Sequence, residues 1–426
     1  MVSVKAANTY GGFEPPTLNV LKISAQNWIC CQIGAREHYA VPRALHSSKR
    51  LKAMITETWV PPNDFLGLTR PLRERFHPGL QRAPIKSFNI SSLVFELSAR
   101  ALRLSGWPLV LRRNRWFQQR ALSLIGRVAQ ELEHNDKPVL FAYSYAAIEL
   151  MRFAKMKGWH TVLGQIDGGP CDEEIVANEH KNHLETISRW QRAPKEYWSS
   201  WKEECSLADT IIVNSHWSKE LLIDAGIEAT KLKIIPVAYE PPVDAREFRR
   251  TYPESFSEAR PLRVLFVGVF ALRKGAAAVL EAMSRLANEP VEFWVVGSTA
   301  IDIPATLRDS PKVKWIGPVS RESTSSFYRN ADLFLFPTLS DGFGMTQVEA
   351  RGWKLPVIAT PFCAPIVKHG ANGLVVTEIG GASLSDAIQC LSKNPTYLKR
   401  LADGSPQEYD EYSFASVRER LLSLAN

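Results

Sequence analysis

The sequence contains few cysteines and no long apolar run. Its six cysteines form no C-x-x-C pair and are too sparse to cross-link a chain of 426 residues, so we expect reduced and mostly buried thiols. No apolar run approaches the roughly 20 residues that a membrane-spanning helix requires. The first 26 residues lack the apolar core of a signal peptide, and we interpret residues 1–26 as a loose leader. These absences predict a cytoplasmic protein that is not secreted.

Acidic residues are scarce in one part of the chain. Between Asp64 and Arg127 there are twelve Lys or Arg against three Asp or Glu, a net charge of +9, whereas the whole chain carries +8. This basic insertion, residues 64–127, therefore accounts for the entire positive excess. It is also the least regular part of the sequence, and we predict irregular structure there. Within it, residues 102–127 place several Arg among Trp107, Trp116 and Phe117.

Three interpretations of this basic segment stay open. It is a solvated Arg-rich face whose side-chain stems cover apolar core contacts, or residues 100–127 lie on an anionic membrane surface with their aromatic side chains in the interface. On the membrane interpretation, the protein is peripheral on the inner face of a membrane. The third interpretation is nucleic-acid binding through phosphate contacts and base stacking, and it is the least favoured.

The length and the alternation of apolar runs with helical patterns predict two α/β domains. At 426 residues the chain is too long for one ordinary core. We predict a first domain over residues 27–240, a Pro-rich linker over 241–260, a second domain over 261–405 and a terminal segment, 406–426, that includes a final helix over 412–424. Strands alternating with helices imply doubly wound, Rossmann-like parallel sheets, which bind ligands at the carboxyl ends of their strands.

In the first domain, several polar residues follow directly after predicted strands. Strands are predicted over residues 27–33, 51–56, 139–143, 160–166, 210–214 and 232–236. Gly34 and Arg36 follow the first strand, and Tyr143, Ser144 and Asp167 lie at the ends of later strands. Because ligands bind at the carboxyl ends of such strands, the turn after the first strand places Gly34 where its backbone can meet a ligand. His180 and His183 lack a third ligand at a recognisable spacing, so no metal site is predicted.

The second domain opens with a predicted strand over residues 262–268 and then the turn Arg273-Lys274-Gly275. This turn places two cations beside a helix N-terminus. Cations there oppose the helix dipole and cost stability unless an anion is bound, so their placement favours a phosphate ligand. Further strands are predicted over residues 291–297, 313–317, 333–337, 356–359 and 374–377.

A second anion-binding pattern lies in residues 333–359, which read as a strand, a turn, a helix and a strand. Asp341 and Glu349 are eight positions apart, and Gly342 and Gly344 between them let backbone amides approach a ligand. Amides at a helix N-terminus bind phosphate. One carboxylate can then reach hydroxyls on one side of a bound diphosphate, and the other carboxylate can reach hydroxyls on the far side. A sugar nucleotide has this layout.

This acid-x7-acid run, together with the Arg273-Lys274-Gly275 turn, resembles the retaining group 1 (family 4) nucleotide-sugar glycosyltransferases. The resemblance implies the GT-B fold, in which two Rossmann-like domains face a central cleft. It implies that Lys274, Arg273 and Asp341 are catalytic: Lys274, with Arg273, binds the donor diphosphate, and Asp341 contacts the donor sugar. Glu349 is implied to bind the donor through its ribose. Further donor-binding positions implied by the resemblance are Gly268, Gly297, Ile316, Gly317, Gly342, Phe343 and Gly344.

The sequence departs from the family pattern at three places. The first acid is Asp341 where the family usually has Glu, Val269 occupies the position of a family Arg, and residues 237–240 replace an Asn-Gly pair. On the acceptor side, the resemblance places Gly34, Arg36, Tyr143 and Asp167 near the cleft.

The activity implied by the resemblance is transfer of a sugar from a nucleoside diphosphate to a hydroxyl acceptor with retained configuration. The acceptor is a glycan, a lipid-linked molecule or a small molecule. No cofactor and no metal are expected, because Lys274 and the loop amides carry the positive charge. Two alternatives stay open: an epimerase-like or phosphorylase-like enzyme of the same fold, and a non-catalytic nucleotide-sugar-binding protein.

Overall fold

The computed structural model describes residues 26–62, 72, 75–132, 136–404 and 410–424. The predicted leader lies outside these residues except for residue 26. The described chain forms two parallel sheets of seven and six strands, each flanked by helices. The predicted α/β fold with two doubly wound domains is therefore confirmed. No helix in this part of the chain is long and apolar enough to span a membrane.

The first sheet has the strand order β3-β2-β1-β4-β5-β6-β7, and all neighbours are parallel. Its strands are β1 (Trp28–Gln32), β2 (Leu51–Thr56), β3 (Ile85–Ser87), β4 (Val139–Tyr143), β5 (Thr161–Gly164), β6 (Thr210–Val213) and β7 (Leu232–Ile234). The helices of this half are α1 (Ala40–Ser47), α2 (Asn89–Ala101), α3 (Gly106–Gln130), α4 (Ile148–Met156), α5 (Gly169–Asn182), α6 (Lys195–Leu207) and α7 (His216–Asp224).

Both faces of this sheet are covered, because successive side chains of a strand point to opposite faces. In β1, Ile29 and Cys31 pack in the cluster that contains α3, whereas Trp28 and Cys30 pack with α1. All four side chains are buried. Burial of both faces explains why the strands read as continuous apolar runs.

The prediction of irregular structure within residues 64–127 is wrong for the part that the structure describes from residue 85 onward. This part contains β3, α2 and α3, and the two helices carry the chain from the sheet edge back to β4. The missed signal is the buried stripe Phe117, Ala121, Ile125 and Val128, whose spacing is helical. Arginines on the other faces of α3 interrupt the apolar residues in the sequence, so the helical spacing of this stripe was not recognised.

The predicted insertion of aromatic residues 107, 116 and 117 into a membrane interface is also wrong. Phe117 is buried in the core. Trp116 stacks on Phe95 of α2 with ring centroids 4.7 Å apart, and the Trp107 indole N–H donates to the Gln191 carbonyl oxygen at 3.1 Å. These three rings pack within the protein, so they are not available to a bilayer.

The second sheet has the order β10-β9-β8-β11-β12-β13, again all parallel. Its strands are β8 (Leu262–Val267), β9 (Val291–Val296), β10 (Val313–Gly317), β11 (Leu333–Phe336), β12 (Val357–Ala359) and β13 (Gly373–Val375). The helices that follow α8 (Val243–Glu247) are α9 (Ala276–Arg285), α10 (Ala305–Arg308), α11 (Arg321–Asn330), α12 (Met345–Gly352), α13 (Gly381–Ser392), α14 (Pro395–Asp403) and α15 (Phe414–Ser423).

Two segments tie the halves together. In the predicted linker, Arg250 is buried and donates to the carbonyl oxygens of Tyr328 and Trp353 at 2.7 and 2.9 Å, so this part packs on the second domain. Helix α15 returns to the first domain, where Val417 and Leu421 pack in the cluster of α1. The exact domain boundaries stay predictions.

Candidate functional site: a diphosphate clamp facing a polar cavity

Each sheet has one point where the strand order reverses direction. In the first sheet this point lies between β1 and β4, and in the second it lies between β8 and β11. Parallel α/β sheets bind ligands outside the carboxyl ends of the strands at such points. The loops that follow these four strands contain most of the residues that the sequence singled out.

Arg273 and Lys274 lie in a short 3-10 turn after β8, next to the loop that follows β11. The Arg273 guanidinium donates to the Ser340 carbonyl oxygen at 2.7 Å and lies 4.0 Å from the Asp341 carboxylate. Lys274 Nζ forms an ion pair with the same carboxylate. The structure thus brings the three residues predicted as catalytic into one cluster, which we call the clamp.

The clamp is largely shielded from solvent. Burial and the neighbouring Arg273 guanidinium lower the pKa of Lys274 to about 7. The Asp341 carboxylate lies against Lys274, and its Oδ1 also accepts the Phe343 N–H at 3.2 Å. Both carboxylate oxygens are therefore engaged within the protein, and the Phe343 amide, which was expected to face the donor, is occupied in this conformation.

Gly342 is one of the points where the second domain touches the first. A Cβ atom at this position would lie 2.1 Å from the Ile166 carbonyl oxygen, so only glycine fits there without a shift of the backbone. Two hydrogen bonds join the same surfaces: Ser218 Oγ donates to the Gly342 carbonyl oxygen at 3.1 Å, and the Trp217 indole N–H donates to Ser340 Oγ at 2.9 Å. The loop of residues 338–344, which we call the clamp loop, therefore packs against the first domain.

The remaining predicted donor-binding residues surround the clamp. Gly268 and Gly297 end the adjacent strands β8 and β9, and open space adjoins Gly268. Ile316 is 38% exposed at the end of β10, beside Gly317, whose carbonyl oxygen accepts the Gly297 N–H at 3.0 Å. Gly344 begins α12 in a left-handed conformation.

Glu349 lies in α12 and is held by residues that the sequence analysis did not single out. The Tyr328 hydroxyl donates to Glu349 Oε2 at 2.9 Å, and the Arg321 guanidinium lies 3.9 Å from Oε1. Burial raises the pKa of Glu349, although the Tyr328 hydrogen bond opposes the rise. Arg321 also contacts His38 of the first domain, 283 positions earlier in the chain, a separation across which no sequence pattern extends.

On the first domain, Arg36, Tyr143 and Asp167 line one cavity of about 260 Å³ at the carboxyl ends of β1, β4 and β5. Helix α3 forms its outer wall through Val110, Arg113 and Asn114. The structure therefore brings together three of the four predicted acceptor-side residues. Gly34 does not line this cavity: its N–H donates to the Glu57 carboxylate at 2.8 Å, and Glu57 pairs with Arg75.

Asp167 belongs to a hydrogen-bonded network that the sequence did not reveal. Its Oδ1 accepts from the Tyr145 hydroxyl, from Gln165 Nε2 at 2.8 Å and from the Gly169 N–H at 3.0 Å. Burial raises the pKa of Asp167, although these hydrogen bonds oppose the rise. Tyr145 itself has a left-handed backbone with φ of 76°, and Glu204 accepts its N–H at 2.7 Å.

The histidine pair noted in the sequence does not form a shared site. His183 lies 3.2 Å from Glu179, and His180 stacks on Trp190 with ring centroids 4.7 Å apart. In the described part of the chain, no three His, Cys, Asp or Glu side chains are grouped so as to hold a metal ion. All six cysteines are free, and four of them are buried.

Comparison with known families identifies the half of the chain that holds the clamp. The sequence model of the glycosyl transferases group 1 family matches residues 261–394, which include Arg273, Lys274, Asp341 and Glu349. The chain resembles the group 1 glycosyltransferases. Among curated relatives, D-inositol 3-phosphate glycosyltransferase of Rhodococcus erythropolis is 27% identical over 157 residues, which are 34% of this chain and 36% of that protein. The same enzyme of Corynebacterium urealyticum is 25% identical over 241 residues, 51% of this chain and 56% of that protein. The chain thus spans between about a third and somewhat over half of these relatives.

Solved structures resemble almost the whole chain. HepE of Anabaena in complex with UDP has a TM-score of 0.58 at 15% identity, and the match covers 93% of this chain and 99% of that one. Sucrose-phosphate synthase of Thermosynechococcus elongatus has a TM-score of 0.57 at 17% identity, covering 94% and 95%. At these identities the likeness concerns the fold, and it assigns the GT-B architecture to this group 1 relative.

Proposed function

We propose that this group 1 relative transfers a sugar from a nucleoside diphosphate sugar to a hydroxyl acceptor with retention of configuration. In this reaction the bond between the anomeric carbon and the diphosphate oxygen breaks, and the acceptor oxygen bonds to the same carbon. The acceptor hydroxyl gives its proton to the departing diphosphate oxygen, and the nucleoside diphosphate leaves. The observation that carries the proposal is the convergence of Arg273 and Lys274 with the glycine loop 342–344 at the reversal point of the second sheet.

The clamp suits a leaving group whose negative charge grows during the reaction. Fixed cations aimed at developing charge stabilise it strongly where water is excluded. Without ligand, Asp341 neutralises Lys274 and partly neutralises Arg273. A diphosphate that enters the loop competes with this carboxylate for the two cations, and Asp341 is then released toward the donor sugar. Because side chains supply the positive charge, we propose that the reaction needs no metal ion, and turnover that persists in excess EDTA is the expected result.

Glu349 is the proposed ribose ligand. Tyr328 orients one of its carboxylate oxygens, which leaves the other facing Arg321. The raised pKa of this carboxyl follows from its burial. A pair of ribose hydroxyls that donates to the carboxylate would replace the lost solvation. Solved structures of HepE are complexes with UDP and with UDP-glucose, so UDP-glucose is the first donor to try.

The experiment that tests the proposal follows label from a nucleotide sugar into product. The protein is incubated with UDP-, GDP- or ADP-linked radiolabelled sugars and with glycan, lipid-linked and small-molecule acceptors, and products are separated chromatographically. Transfer of label to an acceptor supports the proposal. Conversion of one nucleotide sugar into another, or phosphate-dependent release of a sugar phosphate, favours the epimerase-like or phosphorylase-like alternative. Nucleotide binding without any conversion favours a non-catalytic binding protein.

We also propose that the protein is cytoplasmic and touches an anionic membrane surface, through α2 rather than through the aromatic residues of α3. Four apolar side chains of α2 are exposed at helical spacing: Ile90 at 81%, Leu93 at 49%, Val94 at 60% and Leu97 at 54%. Such a stripe beside cations is typical of helices that lie in a membrane interface. Over residues 78–120 the sequence holds eight Lys or Arg against one Glu, and Arg100 and Arg103 at the end of α2 are exposed.

Vesicle flotation tests this surface. The full chain should float with vesicles of phosphatidylglycerol and phosphatidylcholine at low salt and dissociate at high salt. The double variant Leu93→Gln with Leu97→Gln should lose most of this binding. Met156→Gln is the matched control, because Met156 is also an exposed apolar residue, but on α4. Equal flotation of the double variant and the wild type would remove the membrane proposal and leave the transferase proposal intact.

A further inference from the structure

We propose that the cavity lined by Arg36, Tyr143 and Asp167 binds the acceptor, and that this acceptor carries an anionic group, a phosphate or a carboxylate, held by Arg36. The inference rests on the proposed transferase function and names the class of its second substrate. Three observations support it: buried polar atoms without hydrogen-bond partners, an arginine without an ion pair in the described residues, and backbone strain. All three lie at the carboxyl edge of the first sheet.

Two buried polar atoms among the lining residues have no partner in the described part of the chain. They are Gln32 Oε1, at the end of β1, and Ser144 Oγ, just after β4. Their residues are 1% and 2% exposed. Leaving such a group unpaired costs on the order of 1–3 kcal/mol. A ligand hydroxyl that donates a hydrogen bond to one of these oxygens would remove this cost. These positions therefore have the character of a binding site.

Arg36 is the lining arginine without an ion pair in the described part of the chain, and its guanidinium lies over the Tyr143 ring, 5.7 Å from the ring centroid. The other lining arginine, Arg113, makes hydrogen bonds to Glu96 at 2.8 and 3.1 Å. Arg36 has no ion pair within the described ranges. Its neighbour Glu37 accepts instead from the Tyr143 hydroxyl at 3.1 Å and from Asn214 at 3.3 Å. A guanidinium at a cavity wall with donors to spare is suited to a phosphate or a carboxylate.

The backbone that presents Arg36 is strained. Glu37, His38 and Tyr39 have φ values of 49°, 52° and 58°, so three successive non-glycine residues adopt the left-handed conformation. Each costs roughly 1–2 kcal/mol relative to the right-handed form, and left-handed residues normally occur singly. Buried Tyr39, the two bonds to Glu37 and the contact of His38 with Arg321 hold the turn. Strain maintained by so many contacts is typical of a ligand-binding segment.

The opposite end of the cavity faces the clamp. All three hydrogen bonds that the Asp167 side chain accepts from described residues go to Oδ1, which leaves Oδ2 for an acceptor hydroxyl. The Asp167 backbone lies against Gly342 of the clamp loop. Strands β1 and β5 are two positions apart, so Arg36 and Asp167 lie at sheet positions separated by roughly 10 Å. An acceptor with an anionic group at one end and its reacting hydroxyl at the other fits this polarity.

Calorimetry with paired probes tests the inference on the full chain. UDP is first added to saturation, so that the clamp does not bind the phosphorylated probes. Three pairs are then titrated: glucose 6-phosphate and glucose, glucuronate and glucose, and glycerol 3-phosphate and glycerol. We expect the charged member of at least one pair to bind 10-fold tighter or more, the scale of a charge-assisted hydrogen bond. Ser144→Ala should weaken both members of that pair alike.

Substitutions of Arg36 decide between outcomes. Arg36→Gln should abolish the preference for the charged probe and leave UDP affinity within 2-fold, whereas Arg36→Lys should retain part of the preference. Arg120→Gln, on an exposed face of α3 outside the cavity, is the matched control and should behave as wild type. The inference is overturned if no charged probe is preferred by the wild type, or if the preference survives in Arg36→Gln. If the wild type does not bind UDP, GDP or ADP takes its place in the titration. Binding of none of the three nucleotides contradicts the transferase proposal, whereas the difference between the wild type and Arg36→Gln still reports on the acceptor cavity.

Discussion

The two reversal points of the sheets differ in how their charges are compensated. In the clamp of the second domain, the cations of Arg273 and Lys274 are paired with Asp341. In the cavity of the first domain, the charge of Arg36 has no ion pair in the part of the chain that the structure describes, and two buried polar atoms lack partners. The cations of the clamp are thus paired with Asp341 until a diphosphate competes for them, whereas no carboxylate of the described residues forms an ion pair with Arg36 in the cavity. On this difference we base the proposal that the clamp binds the donor and the cavity binds the acceptor.

The largest expected effect comes from the clamp and the residue assigned to the ribose. Lys274→Ala and Glu349→Ala should each lower turnover about 10²-fold or more, the scale of removing one group that stabilises the transition state. Steady-state transfer assays measure the effect. Lys393→Ala, an exposed lysine of the same domain, is the control and should retain full turnover. Near wild-type turnover in both clamp-side variants would contradict the site assignment.

The clamp was largely visible in the sequence, whereas the cavity was visible only in part, through Arg36, Tyr143 and Asp167 at the strand ends. Arg273, Lys274 and the run from Asp341 to Glu349 each form a short contiguous pattern whose glycines and charges have a local physical reason. The cavity is assembled from the ends of three strands and the wall of α3, and the network of Tyr145 depends on contacts between distant segments. The predicted strands were recognised because burial on both sheet faces makes them continuous apolar runs. Helix α3 was missed because its arginines obscured a helical stripe.

The second effect concerns Glu204, which supports the cavity from behind. Its carboxylate accepts the N–H groups of Tyr145, Ala147 and Ile148, and burial raises its pKa to about 7 from 4.5. A raised pKa in the folded state stabilises the protein below pH 4.5, and this contribution is lost as the pH rises through 7. Glu204→Gln cannot titrate. The difference in unfolding free energy between wild type and variant should therefore shift by about 2 kcal/mol in favour of the variant between pH 5.5 and 7.5.

Urea unfolding monitored by tryptophan fluorescence at several pH values measures this shift. Glu149→Gln is the control, because Glu149 lies at the start of α4, next to Ile148, and its carboxylate forms an exposed ion pair with Arg152. A difference between wild type and Glu204→Gln that does not change with pH would show that this carboxyl titrates normally.

The third effect tests the contact between the clamp loop and the first domain, where Gly342 lies against Ile166. Gly342→Ala places a methyl group against the Ile166 carbonyl oxygen, so the clamp loop must withdraw from the first domain. We expect transfer to fall about 10-fold or more, since displacement of reacting groups by an ångström carries costs of this order or larger. UDP affinity should change less. Gly126→Ala, at a helix position with open space around it, is the control. Equal losses of UDP binding and transfer would show that the loop acts on the donor alone.

The smallest effect is a pH dependence of donor binding. Lys274 binds a diphosphate in its protonated form, and in the free protein its pKa is about 7 because it is buried. A bound diphosphate raises that pKa, so affinity for UDP-glucose should fall about 5-fold between pH 7 and 8. Lys274→Arg keeps its charge over this range and should show a flat profile. A flat profile in the wild type would mean that Lys274 remains charged without ligand.

The most direct test of the account is calorimetric titration of UDP, GDP and ADP into the wild type, Lys274→Ala and Asp341→Asn. If the clamp binds the diphosphate in competition with Asp341, the wild type binds at least one of these nucleotides. Lys274→Ala should then bind that nucleotide at least 10-fold more weakly, whereas Asp341→Asn should bind it as tightly as the wild type or more tightly. Undiminished binding by Lys274→Ala, or binding of none of the three nucleotides by the wild type, would contradict the central claim.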